Sequence, residues 1–364
     1  MSSALLDARR SLGPVAAPLA WAYGGVAAMR RRWYARHPER VRRLQRPVVS
    51  VGNLSVGGTG KTPVAALVAT LLKQHGERPA ILSRGYARRD ARDGVVVVHD
   101  GERLVADAAA GGDEPVMLAR MLDGVAVVVS PDRHLAGCLA ESRLGATVHV
   151  LDDGFQHVGL ARDVDLVVVS PEDLQSERVL PAGRLREPVG AVRVADALLV
   201  TDAGPGVAPR LASAWGVGEA FEVRRALGVP RTLVGGEPLE VGPGARVLAV
   251  AAIGRPERFF ADLTAVGVTV VGQMAFADHH VFTPSDARLI AQRARDCGCD
   301  FVLTTAKDAA RGFPGDLPVV TGVVPLEVSV EPSEIFGSWL VERAWSIQRA
   351  TRPQGSGSRC RRQS

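Results

Sequence analysis

Between residues 47 and 324 the chain alternates short apolar, β-branched runs with segments whose apolar residues return at helical spacing. PVVSV (47–51), PAILS (79–83), VAVVVS (125–130), TVHVLDD (147–153), DLVVVS (165–170) and ALLVTD (197–202) read as strands, with helices at 65–73, 114–122 and 132–143 between them. Strand, helix, strand in repetition predicts the α/β class, a mostly parallel sheet with helices on both faces. The interval 204–246 is dense in Gly and Pro without sustained periodicity and marks the boundary of a second, smaller α/β unit. That unit reads as RVLAVAAI (246–253), a helix near 256–266, VTVVGQM (268–274), a helix near 285–296, FVLTT (301–305) and VVTGVV (319–324). The expected divisions are therefore 1–46, 47–232, 233–350 and a low-complexity tail at 351–364 whose composition is that of disordered chain.

Ahead of the first strand, residues 12–29 are almost free of charge and lie between Arg9-Arg10 and Arg30-Arg31-Arg32. As a helix they would reach about 27 Å, barely the hydrocarbon core of a bilayer. Leu12, Val15, Leu19, Tyr23, Val26, Met29 and Trp33 form one apolar stripe, but Pro14, Pro18, Gly24 and Gly25 interrupt it. A helix lying in the membrane interface fits this pattern better than a span, and a docked helix is the ordinary alternative. The arginines from Arg30 to Arg46 would then face anionic headgroups, each adding about 1 kcal/mol. No small-residue cleavage site supports a secretory signal.

Composition and charge narrow the class. The 364 residues suit about two domains, and 46% hydrophobic content is enough for a buried core. Residues 1–46 carry a net +8 and residues 351–364 a net +4; taking both from the formal +5 leaves −7 for the body. The basic character thus belongs to the ends, which argues against a nucleic-acid-binding body. Cys138, Cys297, Cys299 and Cys360 show no metal-ligand spacing and point to a reducing compartment.

The strongest chemical signal is VGNLSVGGTGKTP (51–63), where glycines fall between a strand and a helix. Gly57, Gly58 and Gly60 can turn successive N–H groups toward one anion, and the helix start adds unpaired donors and the positive end of its dipole. In a P-loop the segment Ser55, Val56, Gly57, Gly58, Thr59, Gly60, Lys61 and Thr62 would wrap a nucleotide, Lys61 reaching the β- and γ-phosphates and the Thr62 hydroxyl holding Mg²⁺. Ser55 stands where the strict pattern has glycine. The fold expectation becomes a P-loop NTPase-type sheet with a second domain.

TVHVLDD ends in Asp152 and Asp153, at the strand end where P-loop folds place a Mg²⁺-side carboxylate; a strand-end Asp-Gly turn is the plain alternative. In GGDEP, Asp113 reads either as a helix N-cap or as the carboxylate that orients an acceptor hydroxyl and takes its proton. Asp278, His279 and His280 fall together in a loop of the second unit, too few for a zinc site.

In chain order, the P-loop, SRGY (83–86), GDEP (112–115), PDR (131–133), LDDGFQH (151–157), RD-D (162–165), PAGRLREP (181–188) and DHH (278–280) resemble the tetraacyldisaccharide 4′-kinase family of the lipid A pathway, from residue 12 to about 325. The resemblance implies transfer of the ATP γ-phosphate to the 4′-hydroxyl of an acylated glucosamine disaccharide 1-phosphate, giving lipid IV-A. It also implies a peripheral or monotopic enzyme on an anionic membrane surface, at the cytoplasmic face of the inner membrane. It implies ATP and Mg²⁺ as cofactors, Lys61 and Thr62 on the phosphates and metal, and Asp152, Asp153 and Glu187 on the metal side. Asp113 matches the catalytic base and His279 its partner, with His280 competing. Gln156, His157, Arg184 and Arg186 match positions that contact substrate. Where the family usually shows T-E-K-D, this chain has Thr305-Ala306-Lys307-Asp308.

Other classes fit less well. GTPase base recognition would need N-K-x-D and D-x-x-G, and neither TAKD nor LDDG supplies it. A membrane-peripheral partitioning ATPase would use the same P-loop and anchor and would hydrolyse ATP without an acceptor. No nucleic acid and no obligate protein partner is expected.

Overall fold

The computed structural model describes residues 16–56, 60–85, 94–170, 173 and 177–351. Residues 1–15, the loop positions Gly57, Gly58 and Thr59, Tyr86 of SRGY and the tail beyond Thr351 lie outside the described residues, and with them those parts of the sequence expectations.

A nine-stranded sheet forms the larger lobe. Its strands are β1 (Val48–Asn53), β2 (Pro79–Ser83), β3 (Val96–His99), β4 (Ala126–Val129), β5 (Val148–Asp152), β6 (Val164–Val169), β7 (Ala197–Thr201), β8 (Glu219–Leu227) and β14 (Leu326–Glu331). Their order is β14-β8-β7-β6-β1-β5-β2-β4-β3. The seven inner strands run parallel, and β3 and β14 close the edges antiparallel. Every residue of β1, β2, β4, β5, β6 and β7 is buried, which is why these segments read as unbroken apolar runs rather than alternations.

Helices cover both faces. On one, α2 (Lys61–Gln74) and α4 (Asp113–Met121) pack on Val49, Val51, Ile81 and Val150; a four-residue turn, α3 (Ala108–Gly111), precedes α4. On the other, α5 (Arg133–Arg143) covers Leu82 and Val128, and α6 (Val207–Trp215) covers Leu198 and Val200. From β1 the chain moves through α2 to one side of the sheet, returns to β5 beside β1, then crosses to β6 on the other side. The carboxyl end of β1 is thus a topological switch point, the crevice where open α/β sheets bind ligands.

The smaller lobe is a five-stranded sheet in the order β11-β10-β12-β13-β9, with β9 (Arg231–Thr232), β10 (Arg246–Ala251), β11 (Thr269–Ala275), β12 (Phe301–Thr305) and β13 (Val320–Val324). Alternate residues of β10 face opposite ways. Val247, Ala249 and Ala251 pack on α7 (Pro256–Ala265), while Leu248 and Val250 pack on α8 (Pro284–Cys297). A short α9 (Ala306–Ala310) follows β12.

The division expected at 233–350 is corrected. After the smaller lobe the chain returns: β14 pairs with β8, and Phe336, Leu340 and Ala344 of α10 (Ser333–Thr351) are fully buried in the large lobe's core. The interval 204–246 is not structureless either, since it holds α6, β8 and β9. At the crossing, Gly228 N–H donates to Pro325 O at 2.9 Å, and a Cβ on Gly228 would fall 2.9 Å from the Pro325 ring.

The N-terminal helix α1 (Ala16–Arg36) packs through its small residues. Ala20 and Gly24 are buried, Gly24 against Val179 and Pro188, while Leu19, Trp21, Tyr23, Val26, Met29 and Trp33 are exposed. Among the described residues no helix is long and apolar enough to cross a membrane. The picture of all arginines from Arg30 to Arg46 facing headgroups is corrected in part. Arg31 pairs with Glu187, Arg42 with Asp132 and Arg43 with Asp163, each at 2.8 Å, while Arg32, Arg36 and Arg40 are exposed.

Candidate active site

The phosphate side is assembled within the large lobe. The chain leaving β1 runs antiparallel to the GRLRE segment: Arg186 N–H donates to Leu54 O at 2.6 Å, and Val56 N–H to Arg184 O at 2.9 Å. Ser55 is fully buried in this pairing, opposite Leu185, so a small side chain suits the place. The same pairing sets Arg184 beside Val56, and Arg184 donates back to Val56 O at 3.1 Å. Gly60 sits at φ 81, the left-handed region that glycine adopts freely, and caps α2 so that Lys61 is the first helical residue.

Lys61 Nζ lies 2.6 Å from Asp153 Oδ1 and 3.0 Å from Asn53 Oδ1. Arg186 Nη1 reaches the same carboxylate at 2.8 Å, and Gln156 ties this group to β1 by donating to Asn53 O at 2.8 Å. Asp153 has φ 56, a left-handed turn after β5 that Asp tolerates better than most residues.

The two adjacent carboxylates are driven apart electrostatically. Burial, then the charges of Glu114 and Asp153, pushes Asp152 up to about 7. Burial would raise Asp153 too, but Lys61 and Arg186 hold it well below the ordinary carboxylate range. Asp152 Oδ1 is buried without a hydrogen-bond partner. A carboxylate with an unsatisfied oxygen and a penalty on its charge, lining the same cleft as Thr62, suits a divalent cation. Mg²⁺ takes one or two protein carboxylates together with phosphate oxygens and water, so the want of a cluster of three or more acidic, His or Cys ligands among the described residues does not count against it. Glu187, expected on the metal side, is buried and engaged by Arg31.

His157 is held neutral: burial, then the Arg133 charge, lowers it to about 4. It is not on the wall of the cleft, whereas Gln156, Arg184 and Arg186 are.

The hydroxyl side exists only where the lobes meet. Gly112, at φ 93, caps α4, so Asp113 is its first helical residue and not the N-cap that one sequence reading proposed. Its Oδ2 accepts from Arg311 Nε at 2.7 Å and lies 3.5 Å from His279 Nδ1. Burial alone would raise Asp113, yet the bonds from His279 and Arg311 outweigh it and bring the carboxyl below its ordinary value. His279 adopts φ 64, a left-handed position within the DHH segment. His280 instead bonds Asp286 at 3.0 Å and stacks on Phe276, so the adjacent histidines have separate roles.

Sequence reading missed several participants. Arg311, its side chain 2% exposed, ties Asp113 to the smaller lobe and also donates to Ala252 O at 2.6 Å. Lys307 and Glu114 form a second bridge between lobes at 3.0 Å. Asn53 carried one available signal, a polar residue ending a buried apolar strand. Arg311 carried none, because an Arg-Gly after a short helix reads as solvated charge.

Between the lobes lies a cleft of about 1180 Å³. Lys61, Thr62, Asp152 and Asp153 line its floor; Glu114, His279, Ala306 and Lys307 line a side; Tyr23, Val26 and Ala27 bring the exposed face of α1 to its rim. Asp113, 19% exposed, is not itself on the wall, but its chain neighbour Glu114 and its contact His279 are.

Comparison with known proteins gives a consistent picture. The family model described as tetraacyldisaccharide-1-P 4′-kinase matches residues 12–344. A protein named tetraacyldisaccharide 4′-kinase from Geobacter metallireducens is 43% identical over 280 residues, 76% of this chain and 81% of its own length. Its namesake from Geobacter sulfurreducens is 41% identical over 308 residues, 84% of this chain and 85% of its own. A crystal structure of LpxK from Aquifex aeolicus in complex with ATP superposes with a TM-score of 0.72 at 30% identity, over 92% of this chain and 99% of that one.

Proposed function

The chain belongs to the tetraacyldisaccharide-1-P 4′-kinase family, and from that premise we propose how its cleft works. The reaction is ATP-dependent phosphorylation of the 4′-hydroxyl of a tetraacyldisaccharide 1-phosphate, a step of lipid A biosynthesis. The observation that carries the assignment of roles is that one cleft is lined both by the Lys61–Asp153 pair and by His279, which has Asp113 and Arg311 in contact behind it where the lobes join.

In the proposed sequence the triphosphate enters above Gly60 and draws Lys61 and Arg186 from Asp153 onto phosphate oxygens. Thr62 and Asp152 would hold Mg²⁺, which when bound neutralises charge on the phosphates. The 4′-oxygen approaches the γ-phosphorus in line and forms a new P–O bond as the bond to the bridging β–γ oxygen breaks and ADP leaves. The hydroxyl proton passes to the Asp113 carboxylate. A carboxylate held low is a weak base, which suits a loose transition state in which the proton leaves late and orientation of the hydroxyl matters most. Lobe closure brings Asp113 past His279 to the acceptor.

The acyl chains favour a membrane-bound encounter, because withdrawing each methylene from lipid costs about 0.8 kcal/mol. The exposed Leu19, Trp21, Val26, Met29 and Trp33 would lie in the interface, with Arg32, Arg36 and Arg40 on anionic headgroups. This makes the enzyme peripheral at the cytoplasmic face of the inner membrane, the side that supplies ATP. Incubation with γ-labelled ATP and the disaccharide lipid tests the whole reading. Label should move into an organic-soluble product; release of inorganic phosphate alone would mark a partitioning-type ATPase instead.

A further inference from the structure

Helix α1 does more than expose apolar side chains: two consecutive arginines near its end turn inward, toward the phosphate side. Arg30 Nη1 donates to Gln156 O at 2.9 Å and Arg31 Nη2 to Phe155 O at 3.1 Å, so neighbouring side chains hold neighbouring carbonyls of the turn after β5. Arg31 Nε also donates to Glu187 Oε2 at 2.9 Å, and its guanidinium lies over the Phe155 ring, 4.3 Å from the centroid. Arg162 shares the Phe155 carbonyl at 3.4 Å. The Arg31 side chain is 15% exposed and that of Glu187 7%, so this contact lies inside the protein, whereas Trp21 and Met29 of the same helix are exposed.

Two segments of the phosphate side meet at Arg31. One is the turn after β5, which carries Asp153 and Gln156 and packs so closely on β1 that a Cβ on Gly52 would fall 2.5 Å from Phe155 N. The other carries Arg186 beside Glu187, and Arg186 reaches back to Asp153 at 2.8 Å and to Gln156 Oε1 at 3.4 Å. A planar guanidinium can serve a carboxylate and a carbonyl while stacking on a ring, which a single ammonium cannot. Arg31 thus ties the backbone bearing Arg186 to the backbone bearing Asp153 and Gln156, from a helix outside the sheet. We propose that Arg31 is a positioning residue for phosphoryl transfer: from α1 it holds these two segments at the separation that the phosphates of a nucleotide require. The inference deepens the kinase reading given above and rests on it for the role of Arg186 at the phosphates. Helix α1 then has two separable functions, outer apolar residues for the lipid surface and inner arginines for the nucleotide site.

A bolt that only fastens α1 to the large lobe would change melting temperature and nothing at the nucleotide. The test uses the full chain with Arg31→Met, Arg31→Lys, Arg186→Met and the R31M/R186M pair. It follows ADP affinity by titration calorimetry without Mg²⁺, kcat and both KM values, thermal melting, and co-sedimentation with anionic vesicles. R31M should weaken ADP about tenfold and lower kcat about 10–10²-fold, since small misplacements of phosphate contacts are costly. R31K keeps a cation beside Glu187 and should melt near the wild type, yet still bind ADP severalfold more weakly because it lacks the fork. Neither variant should change vesicle binding. In the R186M background, R31M should cost less than about threefold in ADP affinity, because the contact through which it acts is already gone. A folded R31M or R31K with wild-type ADP affinity and kcat would overturn the proposal, as would losses of R31M and R186M that multiply independently. If R31M does not fold, R31K decides. An R31K that lost vesicle binding but kept ADP affinity would assign Arg31 to the membrane surface instead and overturn the proposal. Should the wild type move no label into lipid, the kinase reading fails, while the ADP affinities still decide whether Arg31 orders the phosphate side.

Discussion

The phosphate side and the hydroxyl side of the cleft are built by different means. On the phosphate side, β1, α2 and the end of β5 are joined through neighbouring strands of one sheet, and Lys61, Asn53, Asp153 and Arg186 satisfy one another there. On the hydroxyl side, Asp113 comes from the large lobe, while His279 and Arg311 come from the smaller. The first is preorganised by the fold of one lobe; the second forms only when two lobes come together. A kinase with this division can bind nucleotide in any lobe arrangement while reserving proton transfer for the closed one, which limits wasteful hydrolysis.

Two substitutions would break the comparison most directly. Lys61→Ala removes the cation proposed to meet the transferring phosphoryl group and should lower kcat about 10³-fold, with weakened ATP binding. Asp113→Asn keeps the shape and removes the proposed proton acceptor, so kcat should fall about 10²-fold or more while nucleotide affinity, read by titration calorimetry, stays near wild type. If D113N weakened nucleotide binding as much as K61A does, the two sides would not be separate modules.

A smaller effect sharpens the contrast in access. Tyr23 and Val26 bring the exposed face of α1 to the rim of the cleft. The double variant Trp21→Glu with Met29→Glu should reduce co-sedimentation with anionic vesicles and raise the KM for lipid severalfold, leaving the KM for ATP unchanged. Undiminished sedimentation would remove α1 from the membrane encounter.

The same division explains what the sequence made legible. The central strands and α2 were readable because parallel strands buried on both faces are continuous apolar runs, and the phosphate loop because a strand–glycine–helix pattern is contiguous. β8 was missed because it buries only Phe221 and Val223 among charged neighbours, and β14 because an edge strand reading LEVSVE looks like polar linker. Their antiparallel pairing joins segments about a hundred residues apart, Leu227 with Leu326, which no local pattern encodes. Likewise, DHH offers two histidines with equal standing in sequence. Their separation depends on a left-handed His279 and on Asp286 claiming His280, both tertiary facts. Arg311 acquires meaning only from the residues brought to it.

The subtlest expected effect lies within the phosphate side itself, where Asp152 and Asp153 are neighbours with opposite electrostatics. Asp152 has its carboxyl raised to about 7 from an ordinary 3.8, so the folded protein keeps a proton that the unfolded chain gives up. Stability contributed at this site is therefore intact below about pH 4, declines as pH climbs to about 7, and is fully lost above that. Asp152→Asn has no charge to bury. Without nucleotide or metal it should melt higher than the wild type at about pH 8, the gap closing near pH 4; each 1 kcal/mol would read as about 2–4 °C. Added Mg²⁺ should narrow the gap by stabilising the wild type more than the variant, since a cation offsets the buried charge that Asn lacks. Asp153, already paired with Lys61 and Arg186, should behave oppositely: Asp153→Asn leaves two cations facing each other and should lower the melting temperature most at neutral pH. Equal pH responses of the two variants would mean that the carboxylates share one environment, and the separation of a waiting metal ligand from a structural counter-ion would fail.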